Sequence, residues 1–111
     1  MTEFVPVLDE AQLPAGRNKA VEAFGQSVLL CRTADGLYAV ANECTHQKLA
    51  LEGGRIRGNS IFCPAHGVRF DLRTGCPTGT LTDKPLQRFE ARISDGQIEI
   101  ARLESETGSA S

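Results

Sequence analysis

Apolar and polar residues alternate in short runs along most of the chain, and turn-forming residues interrupt the runs. This is the pattern of half-buried strands rather than of helices. Residues 4–8 read as an edge strand, because Pro6 cannot donate to a ladder. Residues 9–16 follow as a loop or a single helical turn. Asn18 to Ala23 and Gln26 to Arg32 flank Phe24-Gly25 as a hairpin, and Asp35-Gly36 turns the chain into residues 37–40. Near the far end, residues 88–93 alternate with Phe89, Ala91 and Ile93 on one face. Ser94-Asp95-Gly96 then turns into a run carrying Ile98 and Ile100. Arg88, Glu90 and Arg92 are the solvated face of that strand, with no functional role. Such spacing predicts an all-β sandwich or barrel of antiparallel sheets.

The centre of the chain differs. Residues 56–61 read as a tight hairpin, since Gly58 and Asn59 both tolerate positive φ. The strands of that hairpin connect two short segments that hold both histidines of the chain, Cys44-Thr45-His46 and Cys63-Pro64-Ala65-His66. Both segments are therefore expected at the open end of one hairpin, where adjacent strands lie about 4.8 Å apart.

Composition narrows the class. With 111 residues, 41% hydrophobic and 23% charged, the chain has room for one globular domain. That domain is expected over residues 1–103, followed by a polar, frayed tail at 104–111. A net charge of −2 argues against a nucleic-acid surface. The longest apolar stretch, Val28-Leu29-Leu30-Cys31, is far shorter than the roughly 20 residues of a membrane span. No signal peptide is visible at Met1-Thr2-Glu3-Phe4, so the cytoplasm is the expected compartment. Thiols stay reduced there, and four cysteines read as metal ligands or buried side chains rather than as disulfides.

The spacing C-x-H-x16-C-x2-H puts one thiol and one imidazole in each segment. Zinc accepts two of each, but zinc fingers group like with like. The alternating order suits an asymmetric binuclear iron centre, with thiolates on one iron and imidazoles on the other. Structural zinc and unrelated core residues remain as alternatives. Gly53-Gly54 and Gly67 are candidates to bring N–H groups toward cluster sulfurs, with ordinary turn chemistry as the competing reading. Cys31 reads as a core side chain and Cys76 as uninvolved.

Cys44-Thr45-His46 and Cys63-Pro64-Ala65-His66-Gly67, with Phe70-Asp71 and Thr74-Gly75 behind them, resemble the two cluster-binding boxes of the Rieske [2Fe-2S] proteins. The likeness runs from Phe4 to Leu103 and is nearest the small ferredoxins that serve bacterial ring-hydroxylating dioxygenases. It implies a small cluster-binding subdomain formed by two hairpin loops and one [2Fe-2S] cluster. Cys44 and Cys63 would bind the inner iron, and His46 and His66 the outer iron. The resemblance also implies that Gly75-Cys76-Pro77 forms a third loop covering the cluster. Leu49 and Ala65 stand where respiratory members carry a disulfide, and Val68 and Phe70 where those members carry hydroxyl donors. That predicts a potential near the lower end of the Rieske range, about −150 mV.

Both histidines are consumed by such a cluster, leaving none for the 2-His-1-carboxylate iron of an oxygenase. No Gly-rich nucleotide fingerprint follows a strand either. The implied function is electron transfer rather than catalysis. Single electrons would pass from an NAD(P)H-dependent flavoprotein reductase to a terminal ring-hydroxylating dioxygenase. Docking is expected near His46 and His66, on a tip made by Gln47, Lys48, Leu49, Pro64 and Ala65 of a monomer. The alternatives are the Rieske small subunit of an assimilatory nitrite reductase and a zinc-stabilised binding module.

Overall fold

The computed structural model describes residues 3–44, 49–64, 67–78 and 84–102. Ten strands run through them: β1 Val5–Asp9, β2 Asn18–Ala23, β3 Gln26–Arg32, β4 Leu37–Ala41, β5 Ile56–Arg57, β6 Ser60–Phe62, β7 Arg69–Asp71, β8 Pro77–Thr78, β9 Arg88–Ser94 and β10 Gln97–Arg102. A single turn of 3-10 helix, Glu10–Gln12, occupies the expected loop between β1 and β2. Every strand pairing is antiparallel.

Six long strands form one sheet in the order β1-β10-β9-β4-β3-β2. Its hairpins close where the sequence expects them. Phe24 (φ 55) with Gly25 (φ 76), and Asp95 (φ 52) with Gly96 (φ 78), are two-residue turns with positive φ at both central positions. That geometry matches the twist of the flanking strands. Pro6 sits on β1, an edge strand, next to a register shift between Pro6 and Leu8. The two edges, β1 and β2, come back near each other. The sheet is thus curled around its own inner face.

All six strands feed that inner core. Val28, Leu30, Ala39, Phe89, Ile98 and Ile100 are buried in it, with Val5, Val7, Val21 and Ala23 packed at its margin. Each such buried aliphatic contributes about 1.5–3 kcal/mol. Ile93, on the same face as Phe89 and next to the end of β9, is 39% exposed although Ile98 opposite it is buried.

The four short strands form a second sheet, β5-β6-β7-β8. It belongs to an excursion, residues 42–87, inserted between two neighbouring strands of the large sheet. Strand β4 pairs directly with β9 through Ala39–Phe89 and Val40–Arg88, and the Ala41 N–H donates to the Gln87 carbonyl at 2.9 Å. The excursion therefore leaves and returns at one point. Its apolar side packs on the outer face of the central strands, so β3 is buried on both faces. Val28 and Leu30 go to the inner core, while Leu29 and Cys31 go to a second core with Val40, Leu51, Ile61, Val68, Phe70, Leu72 and Leu86.

The β5–β6 hairpin turns at Gly58-Asn59 as expected, but only Gly58 takes positive φ (57°). Asn59 has a different task. The buried Thr33 hydroxyl donates to Asn59 Oδ1 at 3.0 Å, and Asn59 Nδ2 donates to Asp35 Oδ2 at 3.1 Å. Its carbonyl also accepts the Leu72 N–H at 2.7 Å. This ties the turn of the small sheet to the turn between β3 and β4.

Candidate metal centre

Two segments of equal length are pinned in the same way. The Cys44 N–H donates to the Leu49 carbonyl at 2.7 Å, and the Cys63 N–H donates to the Val68 carbonyl at 2.8 Å. Each bond closes a six-residue loop at its base, with a cysteine as the first residue. The first loop starts just after β4 and the second directly after β6. Neither follows from helix or sheet propensity; each is a ladder bond placed where a strand gives way to a loop.

Cys44 and Cys63 are 0% and 1% exposed, are in no disulfide, and lie in the same apolar cluster. As thiols they behave as small hydrophobes. Two thiolates in that setting without a cation would be costly, and a metal centre removes the cost. The donor chemistry on the sulfur side therefore fits a cluster held from within. His46 and His66, with Thr45, Gln47, Lys48 and Ala65, lie outside the described residues. At the feet of the loops, Leu49 is 42% exposed and Pro64 is exposed, so apolar side chains face solvent there. Val68 and Phe70 are buried and offer no hydroxyl.

Two asparagines that the sequence did not single out hold the return from the first loop. Asn42 Oδ1 accepts the Leu51 and Glu52 N–H groups at 2.9 Å each, while its Nδ2 donates to Ser27 Oγ at 3.1 Å. Asn18 Oδ1 accepts the Gly53 N–H at 2.8 Å, and Asn18 Nδ2 donates to the Gly54 carbonyl at 2.8 Å. Glu52 in turn accepts the Ala20 N–H on the edge strand β2 at 3.0 Å. The only sequence signal is an asparagine at a strand end two residues before a ligand candidate, which is too common to act on.

The glycines are corrected by these contacts. The Gly53 N–H is spent on Asn18, the Gly54 N–H on the Leu51 carbonyl at 2.9 Å, and the Gly67 N–H on the Cys63 carbonyl at 2.8 Å. None is left to approach a cluster sulfur. Gly54 is required for a different reason: a Cβ there would overlap the Phe62 carbonyl oxygen. The chain needs close backbone approach at that point, not a donor.

The expected third loop is also different. Pro77 lies in β8 opposite Phe70, and a turn at Leu72–Thr74, followed by Gly75-Cys76, leads into it. Asp71 organises that turn. Its carbonyl accepts the Gly75 N–H at 2.6 Å, and its carboxylate accepts the Arg73 N–H at 2.8 Å and Arg73 Nη2 at 3.1 Å. The Arg73 side chain, through that hydrogen bond, holds the Asp71 carboxyl below its usual range. Cys76 is exposed, whereas burial pushes the Cys31 thiol up to about 12, so Cys31 stays protonated as a core side chain. Among the described residues no three His, Cys, Asp or Glu side chains are placed so that they could hold one metal ion.

Comparison with known proteins bears on the same residues. The Rieske [2Fe-2S] domain matches residues 3–90. The chain is 30% identical over 99 residues to Ferredoxin CarAc of Metapseudomonas resinovorans, covering 88% of this chain and 92% of that one. The ferredoxin of carbazole 1,9a-dioxygenase from Nocardioides aromaticivorans IC177 superposes with a TM-score of 0.83 at 31% identity, over 90% of this chain and 98% of that one. A ferredoxin solved in complex with reduced oxygenase, in carbazole 1,9a-dioxygenase, superposes with a TM-score of 0.81 at 29% identity, over 88% and 92%. With the domain match running through both pinned loops and the small sheet, the chain belongs to the Rieske [2Fe-2S] domain family.

Proposed function

We propose that the chain is a Rieske-type ferredoxin, carrying single electrons from an NAD(P)H-dependent flavoprotein reductase to a terminal ring-hydroxylating dioxygenase. The observation that carries this reading is the pair of matching pinned loops, each starting with a buried cysteine outside any disulfide, with an exposed apolar residue at its foot. The chain also spans 98% of the carbazole 1,9a-dioxygenase ferredoxin and 86% of a ferredoxin component of a naphthalene 1,2-dioxygenase system. No helix among the described residues is long and apolar enough to cross a membrane, and the proposed compartment is the cytoplasm.

Cys44 and Cys63 would hold the cluster from the protein side, and His46 and His66 from the solvent side. When bound, the cluster supplies one one-electron couple. The chain does the rest. Leu51, Ile61, Val68, Phe70 and Leu72 keep water from the sulfur side. Leu49 and Pro64 offer apolar contact to a partner, as suits the small interfaces of transient redox encounters. With no hydroxyl at Val68 or Phe70, the potential is proposed near about −150 mV.

Iron and sulfide content with an EPR spectrum of the dithionite-reduced protein tests this reading. About two iron and about two labile sulfide per chain with a Rieske spectrum are expected. A single zinc ion per chain would overturn it. Stoichiometric co-purification with a large reductase would favour the fixed-subunit alternative instead.

A further inference from the structure

The small sheet has an outer face that the cluster does not use. In its register, Ile56, Ile61 and Phe70 stand opposite one another and point into the second core. The alternate positions therefore point outward: Arg57 opposite Ser60, Ser60 opposite Asp71, and Phe62 opposite Arg69. A groove of about 660 Å³ opens on this side. Arg55, Arg57, Phe62, Cys63, Pro64 and Arg69 are among its lining residues, and no Asp or Glu lines it among the described residues.

The charge on this face is unbalanced. Asp71 is occupied by Arg73 at 3.1 Å. Arg69 donates through Nε to Thr78 Oγ1 at 3.2 Å and leans over the Phe62 ring at 5.9 Å. Arg55 and Arg57 are exposed and have no ion pair or side-chain hydrogen bond among the described residues. Elsewhere Arg32 and Arg92 are paired with Glu10 and Glu99. Asp71 lies near enough to Arg69 for the two charges to feel each other, but Arg55, Arg57 and Arg69 form no ion pair among the described residues, and in a chain that carries −2 as a whole they make a local field opposite to its net charge. The groove also runs up to Pro64, at the exposed foot of the second pinned loop.

We infer that this groove docks an acidic, carboxylate-bearing segment of the terminal oxygenase, next to the foot of the second pinned loop. The inference rests on the electron-carrier reading proposed above. Arg55, Arg57 and Arg69 receive carboxylates through guanidinium forks, and the Phe62 ring supplies apolar contact beneath them. Electrostatic attraction of this kind raises the encounter rate and fades with salt. The oxygenase is assigned because the related carbazole ferredoxin forms its complex with that component.

The test compares the wild-type holoprotein with Arg57→Glu, Arg55→Glu/Arg57→Glu and the charge-keeping Arg57→Lys. Each must retain the Rieske EPR spectrum and melting temperature. The second-order rate of oxygenase reduction and the Kd for the oxygenase are measured at about 20 mM and about 500 mM salt, along with the rate of reduction by the reductase. At low salt the double reversal should slow oxygenase reduction about tenfold or more and weaken Kd in parallel. The gap should close at high salt, Arg57→Lys should keep the encounter rate within about twofold while weakening Kd less than Arg57→Glu does, since the charge stays but the fork is lost, and the reductase rate should hold within about twofold. Unchanged oxygenase kinetics in the double variant would overturn the inference, as would an equal loss toward the reductase. A wild-type protein without a Rieske spectrum would instead sink the electron-carrier reading, so the two failures are told apart.

Discussion

The six-stranded and four-stranded sheets hold their shapes by different means. In the larger sheet, β2, β3, β9 and β10 run six or seven residues each, and their ladders and alternating side chains fix the register together. In the smaller one, β5 and β8 have two residues each and β6 and β7 three. Ladders that short are weak by themselves. The excursion is instead tied down by side-chain hydrogen bonds: Asn18 and Asn42 to backbone on the first loop's return, Asn59 to the Thr33 hydroxyl at the hairpin turn, and Asp71 to the adjacent backbone of the turn into β8. Regular pairing gives a sheet that stands alone, whereas cross-braced loops give a region that depends on whatever fills its centre.

The largest expected effect breaks the two regions apart. Removing the metal, or replacing Cys63 by Ala, should abolish hydrogen-exchange protection at Ile61 and Phe70 while Leu30 and Ile98 keep theirs. Simultaneous loss at all four amides would show the sheets to be one cooperative unit. Next comes Gly54→Ala, where the new Cβ meets the Phe62 carbonyl; a cost of about 3 kcal/mol or more is expected in urea denaturation. Gly25→Ala in the large sheet meets the opposite situation, positive φ (76°) but open space, and should cost only about 1–2 kcal/mol.

Asn42→Ala sharpens the comparison further. Losing the acceptor for two N–H groups should cost about 1–2 kcal/mol, and Asn42→Asp, which keeps that acceptor, should recover most of it in thermal melts. The smallest effect concerns pH. Asp71 titrates below its unfolded value, so its contribution is present above about pH 4 and is lost as pH falls through the folded pKa. The pair is exposed, so Asp71→Asn should remove less than about 1 kcal/mol and flatten the stability profile only below about pH 4.

What the sequence disclosed follows the same division. The bounds of β2 and β3, and the turns at Phe24-Gly25 and Asp95-Gly96, are legible because alternation and turn chemistry agree over six or seven residues. β7 and β8 are too short to show alternation, so Pro77 read as part of a covering loop when it opens a strand. The spacing of Cys44, His46, Cys63 and His66 singles out the candidate ligands, but not their supports. Asn18 reaches across 35 and 36 residues to Gly53 and Gly54, and no local pattern encodes a contact at that range. A glycine pair likewise looks the same whether it frees a donor or lets two backbones touch; only the Phe62 carbonyl beside Gly54 decides it.

The single doorway through which residues 42–87 leave and re-enter bears on how such a unit could be transplanted. A host needs only two neighbouring antiparallel strands to receive it, as β4 and β9 do here. Excising it, though, would bare Leu29, Cys31 and Val40 on the outside of the remaining sheet and invite aggregation. A graft would therefore have to carry over those three side chains beneath it, along with the inserted segment itself.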